Sequence, residues 1–321
     1  MGGVHGAQHY VDEAQADGAD LSKLHCVVTG ASSGIGLETA RALALGGAHV
    51  VMACRNVAKA EQCIRDMQGE GLFKRNLSVM AVDLESLASV QAFAHAYVAS
   101  GKPLNVLVCN AGYITFSHAL TQDGYERTFQ VSFLANYLLF RLLQDTMLQS
   151  APSRVILVTS HAYQIASPKW DWPERGSKGF GVESGVKGFP AYAAAKLAGV
   201  HLGQWIAEQF GERDVRAFIV HPGVVSSPIY PWWAMPLMRL LLLRPDQGAA
   251  PSVMAATSTR LLGDPAVVGF YDAGVMGCAT MGPRTLHEVA LNSVNMHRLM
   301  EESELIAAPF MQQQQQQVNQ V

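Results

Sequence analysis

The chain is poor in charge, and the charge it has is scattered. Only 15% of its residues are Asp, Glu, Lys or Arg, and the formal net charge is -3 at pH 7. Without basic clusters there is no electrostatic footprint for nucleic acid, and none is expected as a partner. CxxC pairs are lacking as well. The five cysteines (Cys26, Cys54, Cys63, Cys109 and Cys278) are spread along the chain, three of them in apolar strand-like runs. They read as buried free thiols of a reducing compartment, not as a disulfide framework. Residues 1–20 have neither a basic n-region nor an apolar h-region, so they read as a flexible lead-in and not as a secretory signal. The most apolar interior segment, Ile229 to Pro245, is broken by prolines and by Arg239, which makes it too short and too interrupted to span a bilayer. A cytoplasmic protein is expected, with membrane-peripheral or mitochondrial residence left open.

What is present suits a large core: 49% of the 321 residues are apolar, enough for one large α/β domain. Apolar runs at Leu24 to Thr29, His49 to Ala53, Leu77 to Val82, Leu104 to Cys109, Arg154 to Thr159 and Val215 to Val220 read as strands. Several are followed by helix-like spacing, as at Gly34 to Leu45, Val57 to Met67 and Ser86 to Ala99. Runs with so little internal alternation are buried on both faces. The expected fold is therefore α/β: a single Rossmann-type doubly wound parallel sheet with helices on both faces. Val267 to Tyr271 would add a last edge strand. The domain is expected over 21–304, followed by a disordered Gln-rich tail at 305–321.

In such a sheet, ligands sit beyond the carboxyl ends of the strands. The stretch VVTGASSGIG lies there, with Gly30 for a tight turn, Gly34 for close approach of a phosphate and Gly36 for close packing of helix on sheet. Glycine at a strand-to-helix turn is often mere punctuation, and the second strand adds weight to the functional reading. It ends in ACRN, which puts Arg55 where an acid would bond a ribose 2′-hydroxyl. An arginine there suits a 2′-phosphate, pointing to NADP(H) over NAD. Further on, AYAAAK sets Tyr192 and Lys196 four residues apart, on one face of a helix expected over Ala191 to Phe210. A neighbouring ammonium stabilises a phenolate, which makes the phenol a usable general acid/base.

These motifs, taken with CNAG (Cys109 to Gly112), VTS (Val158 to Ser160) and HPGVV (His221 to Val225), have the order and spacing of the short-chain dehydrogenase/reductase family. The chain resembles that family over nearly its whole globular part. Within it, GAHVVMACRN and LTQDGYERTFQV resemble the branch of the retinol dehydrogenases and of oxidoreductases that carry WW modules. The first twenty residues are too few and lack the tryptophans of such a module, so recognition through one is not expected.

The resemblance implies a reversible hydride transfer between NADP(H) and an alcohol or carbonyl. It makes Tyr192 the acid/base, Lys196 its partner and Ser160 the group that orients the substrate oxygen. It assigns the cofactor to Gly30, Ser32, Ser33, Gly34, Ile35, Gly36 and Arg55, to Asp83 and Leu84, to Asn110, Ala111 and Gly112, and to Pro222, Gly223, Val225 and Ser227. It departs at Ser132, where the family's active-site asparagine normally stands. A hydroxyl offers fewer fixed hydrogen bonds than an amide at that reach, and Asn136 lies four residues along on the same helical face. A catalytically weak, cofactor-binding regulatory or scaffold protein is therefore the alternative to an enzyme.

Two segments point to the substrate. Trp170, Trp172 and Phe180 in the long stretch between Ser160 and Tyr192 would wall an apolar pocket or pack that loop on the domain. The resemblance makes Ile229 to Leu243 the substrate lid, and its Trp, Met and Leu suggest a lipophilic substrate such as a retinoid or steroid; a core helix or subunit contact of a homodimer, or a peripheral membrane contact, fits the same composition. No metal cluster is expected.

Overall fold

Among the described residues eight strands form one sheet in the order β3-β2-β1-β4-β5-β6-β7-β8. They are β1 (His25–Thr29), β2 (His49–Cys54), β3 (Leu77–Ala81), β4 (Val106–Cys109), β5 (Ser153–Val158), β6 (Val215–His221), β7 (Gly269–Asp272) and β8 (Pro283–Arg284). The computed structural model describes residues 6–69, 76–115, 117, 119–166, 188–225, 242–262, 269–272 and 283–318. Ser227, Cys278, the Trp170, Trp172 and Phe180 loop and nearly all of the proposed lid lie outside these residues.

Strands β1 to β7 pair in parallel, as their unalternating apolar runs require. The far edge differs from expectation. The run expected to end the sheet forms β7 between β6 and β8, and β8 pairs with it antiparallel, Phe270 opposite Arg284. Two residues of pairing carry too little hydrophobic period to show in a sequence.

Helices cover both faces. On one face α4 (Leu87–Ala99), α6 (Ala135–Gln149), α7 (Phe189–Phe210) and α9 (Ser293–Val318) enclose a core rich in Phe, Tyr and Leu, including Phe93, Phe133, Phe140 and Leu299. On the other face α1 (Ala7–Ala16), α2 (Gly34–Leu45), α3 (Val57–Gly69) and α8 (Pro245–Thr257) pack mostly through Ala and Val. The small side chains let those helices lie close to the strands. Ser86 caps α4, its hydroxyl accepting from the Ser89 N–H at 3.2 Å, so that helix starts one residue later than its apolar spacing suggested.

Both chain ends correct the reading. Residues 7–16 are no flexible lead-in: Ala7, Val11 and Ala14 are buried, and α1 packs on α2 and α8. Gln15 donates from Nε2 to the Gly46 carbonyl at 3.1 Å, and Arg260 pairs with Asp17 at 2.8 Å. At the other end α9 runs through the segment expected to be a disordered tail, as far as Val318. Ala307 is buried, Gln91 Nε2 donates to the Phe310 carbonyl at 2.6 Å, and Tyr137 Oη donates to Glu304 at 2.6 Å. Arg141 also pairs with Glu304. Cys26, Cys54 and Cys109 are buried and Cys63 is half-buried, all four as free thiols. Among the described residues no helix is long and apolar enough to cross a membrane.

Candidate active site

Strands β1 and β4 are neighbours in the sheet but not in sequence, so the chain leaves β1 in one direction and β4 in the other. A crevice opens at such a switch point. Here it is held by Thr29, a fully buried residue with no earlier place among the candidates. Its Oγ1 accepts from the N–H groups of Asn110 at 3.0 Å and Ala111 at 3.1 Å and donates to the Val108 carbonyl at 3.3 Å. Asn110 answers by donating from Nδ2 to the Thr29 carbonyl at 2.9 Å. Over this stitch lies Gly36, where a Cβ would stand 2.6 Å from the Gly30 carbonyl oxygen. No side chain fits there, which is what lets α2 begin against the strand ends.

The crevice is a cleft of about 700 Å³. Of the candidate residues it gathers Gly30, Ser32, Ser33, Gly34, Ile35 and Gly36 from the first turn and Arg55, Asp83 and Leu84 from the next two strand ends. It also gathers Asn110, Ala111 and Gly112 with Tyr192, Lys196 and Pro222. Gly223 and Val225 do not line it. Val225 is buried beneath, bridging to Leu243 and packing on Ile35. Asn56, Lys59, Glu85 and Tyr113 line the cleft although the sequence did not single them out. Lys59 was within reach of sequence reasoning, since it follows Arg55 by four residues at the start of α3.

At the inner end, α7 sets Tyr192 and Lys196 on one face. The Lys196 Nζ lies 5.5 Å from the centre of the Tyr192 ring and donates to the Val158 carbonyl at 2.9 Å. Thr159 Oγ1 donates to the Lys196 carbonyl at 3.1 Å, tying α7 to the end of β5. Burial makes the ammonium costly and brings its pKa from 10.5 down to about 8.

Ser160 does not line the cleft; its Oγ accepts from the Ala162 N–H at 3.3 Å and caps a short 3-10 turn. The neighbouring His161 packs edge-on against His221, their ring centres 4.4 Å apart. Ser132 is buried in a π-helical turn (Gln130–Leu134) between α5 (Arg127–Phe129) and α6. Such turns displace side chains from the regular helical register and recur at functional sites. Among the described residues its Oγ has no hydrogen-bond partner, and neither has Asn136 Oδ1. Asn136 is occupied with Ser132 in another way, donating from Nδ2 to the Ser132 carbonyl at 3.0 Å. A Cβ on Gly112 would lie 3.2 Å from Lys196 Nζ and 3.3 Å from Ser132 Oγ, so that glycine keeps the space between them open.

The outer end of the cleft is cationic but not uniformly so. Arg55 Nη1 donates to Glu85 Oε1 at 3.0 Å, Arg127 Nε lies 3.0 Å from Glu85 Oε2, and the Tyr113 hydroxyl donates to Oε1 at 3.4 Å. Asp83 turns one carboxylate oxygen back to accept from the Glu85 N–H at 3.0 Å, which fixes the loop after β3.

These residues fit a dinucleotide. Ser33 stands at the N-cap of α2 without making a capping bond, so the first-turn amides are left for an anion. Gly34, at φ +57°, has open space where its Cβ would be. Arg55 and Lys59 line the cleft beyond β2, and the tyrosine–lysine pair lines it beside β5, three strands along the sheet.

Comparison with known proteins agrees with this architecture. A family model described as short chain dehydrogenase matches residues 24–171. The chain is 39% identical over 257 residues to the WW domain-containing oxidoreductase of Homo sapiens, covering 77% of this chain and 61% of that protein. It thus spans about three fifths of the length of that relative. It is 34% identical over 243 residues to retinol dehydrogenase 11 of Homo sapiens, covering 73% of each. Among solved structures, a metagenomic short-chain oxidoreductase in complex with NADP superposes with a TM-score of 0.56 at 27% identity, over 76% of this chain and 94% of that one. With its nucleotide cleft at the β1/β4 switch point and its Tyr192–Lys196 pair on α7, the chain belongs to the short-chain dehydrogenase/reductase family.

Proposed function

We propose that the chain is an oxidoreductase that transfers a hydride between NADP(H) and a lipophilic alcohol or carbonyl of the retinoid or steroid kind. The observation that carries the reading is the placement of Tyr192 and Lys196 at one end of a cleft whose other end holds Arg55 and Lys59. NADP(H), when bound, supplies or accepts the hydride. The chain's own part is to bind, orient and move a proton. Arg55 and Lys59 receive the 2′-phosphate, and the open amides at the start of α2 receive the pyrophosphate. Tyr192 gives its phenolic proton to the carbonyl oxygen in reduction or takes it from the alcohol in oxidation. Lys196, held by the Val158 carbonyl, stabilises the phenolate that remains, and its lowered pKa makes the ammonium readier to pass a proton on towards that oxygen. Ser160 follows β5 next to Thr159, which lines the cleft; its oxygen is engaged as a cap, and its hydroxyl hydrogen is the part left to bond a substrate oxygen.

The substrate class rests on the likeness to retinol dehydrogenase 11 and on the apolar segment Ile229 to Leu243. A panel of all-trans-retinal, ketosteroids and hydrophilic sugar carbonyls, assayed with NADPH and NADH, tests it. Turnover confined to the lipophilic members with NADPH supports the reading, whereas a preference for the sugars contradicts it.

A second reading is favoured by one observation. The Ser132 hydroxyl is buried without a hydrogen-bond partner among the described residues and is too short to replace an amide, so the protein binds NADP(H) and turns over poorly, as a regulatory protein would. Activity that appears only in Ser132→Asn would support that reading.

A further inference from the structure

We infer that Glu85 sets how strongly the cleft prefers a 2′-phosphorylated dinucleotide, by holding Arg55 until the phosphate displaces it. The inference rests on the reading of the cleft as a dinucleotide site, and it concerns a residue that motif reasoning does not reach.

Glu85 and Arg55 both line the outer end of the cleft, and Glu85 is the carboxylate that Arg55 contacts there. A phosphate that recruits the guanidinium must therefore break a 3.0 Å ion pair and settle near a second anion. Two features make that exchange feasible. Arg55 is 69% exposed, so its pair with Glu85 is largely screened and long side chains leave it readily. Glu85 is only 21% exposed, and its other oxygen stays beside Arg127 Nε at 3.0 Å, with the Tyr113 hydroxyl on the first. When Arg55 swings away, the carboxylate keeps a counter-ion and a donor; it is not stranded.

The consequence is a narrowed preference. NADPH gains Arg55 but loses the Arg55–Glu85 pair, whereas NADH leaves that pair in place and binds against an already neutralised arginine. Arg127 then tunes the exchange from outside the cleft. Without it Glu85 would hold Arg55 more tightly and the incoming phosphate would meet a barer carboxylate.

The test is equilibrium binding of NADPH and of NADH, followed by nucleotide fluorescence, to the full-length wild type, Glu85→Gln, Arg127→Gln, Arg55→Ala and the Arg55→Ala/Glu85→Gln double variant. The exchange predicts that Glu85→Gln tightens NADPH about two- to five-fold, the range of an exposed ion pair, while NADH changes by less than about two-fold. Arg127→Gln weakens NADPH and spares NADH. In the Arg55→Ala background Glu85→Gln has a smaller effect than in the wild type. Weaker NADPH binding in Glu85→Gln would show that the carboxylate orients Arg55 for the phosphate and would overturn the inference. An equal gain with and without Arg55 would also overturn it, by reducing Glu85 to simple repulsion. Failure of the wild type to bind either nucleotide would contradict the dinucleotide reading itself, a different result from any of these.

Discussion

Lys196 Nζ and Ser132 Oγ converge on Gly112, whose missing Cβ would stand 3.2 Å from the one and 3.3 Å from the other. Among the described residues, an ammonium with one hydrogen-bond partner and a hydroxyl with none thus share a small space at the inner end of the cleft. A buried polar space of that kind is suited to an ordered water. In Gly112→Ala a methyl group fills it. The variant is expected to fold normally, because Gly112 does not need a positive φ, and to lose about ten- to hundred-fold in single-turnover rate, the scale of an impaired acid/base group. An unchanged rate would remove the space from the mechanism.

Burial of Lys196 has a pH signature. Its pKa is about 8 when folded, against an ordinary 10.5. Below pH 8 both folded and unfolded chains hold the proton, and burying the charge costs stability. Between 8 and 10.5 the folded chain has released a proton that the unfolded chain still holds, so this residue's contribution to stability rises with pH through that window. Lys196→Met is therefore expected to be more stable than wild type at pH 7 by up to roughly 3 kcal/mol, less the cost of leaving the Val158 carbonyl unpaired. The advantage should fade towards pH 10.5. Urea melts at pH 7 and pH 10 check this, and the same variant is expected to lose turnover.

Thr29→Val keeps the shape of the β1 end and removes its hydroxyl. The Ala111 N–H loses its acceptor in a half-buried setting, whereas Asn110 N–H retains the Val108 carbonyl at 3.1 Å. The expected cost is about 1–3 kcal/mol in urea unfolding, with weaker NADPH binding because Asn110 to Gly112 are no longer stitched to β1.

How far the sequence could be read depended on length of pattern. The strands from Cys26 to Val220 announced themselves as apolar runs, and Tyr192 and Lys196 shared a helical face by their spacing alone. Helix α1 was hidden because its buried residues are Ala7, Val11 and Ala14 among polar neighbours, an apolar stripe too thin to notice without α8 beside it. The end of α9 was hidden by composition, since Phe310 and Ala307 precede a glutamine run that carries no period. The Glu85 bridge between Arg55 and Arg127 depends on tertiary contacts across 30 and 42 residues of chain, which no local pattern encodes.

The N-terminal helix gives a direct check on that correction. Val11 is fully buried between α1 and the helices beneath it. Val11→Ala is expected to cost roughly 2 kcal/mol of stability, the worth of the apolar surface removed, without altering nucleotide affinity. A flexible segment would show no cost at all.

Tyr192 is proposed to pass a proton while a hydride crosses to a lipophilic carbonyl. The most direct test is single-turnover transfer of deuterium from C4-labelled NADPH to all-trans-retinal and to a ketosteroid, in wild type and in Tyr192→Phe. Label is expected on the product alcohol carbon in the wild type, and transfer slowed by a factor of about a hundred or more in the variant. Equal transfer in both, or none in a wild type that binds NADPH, would contradict it.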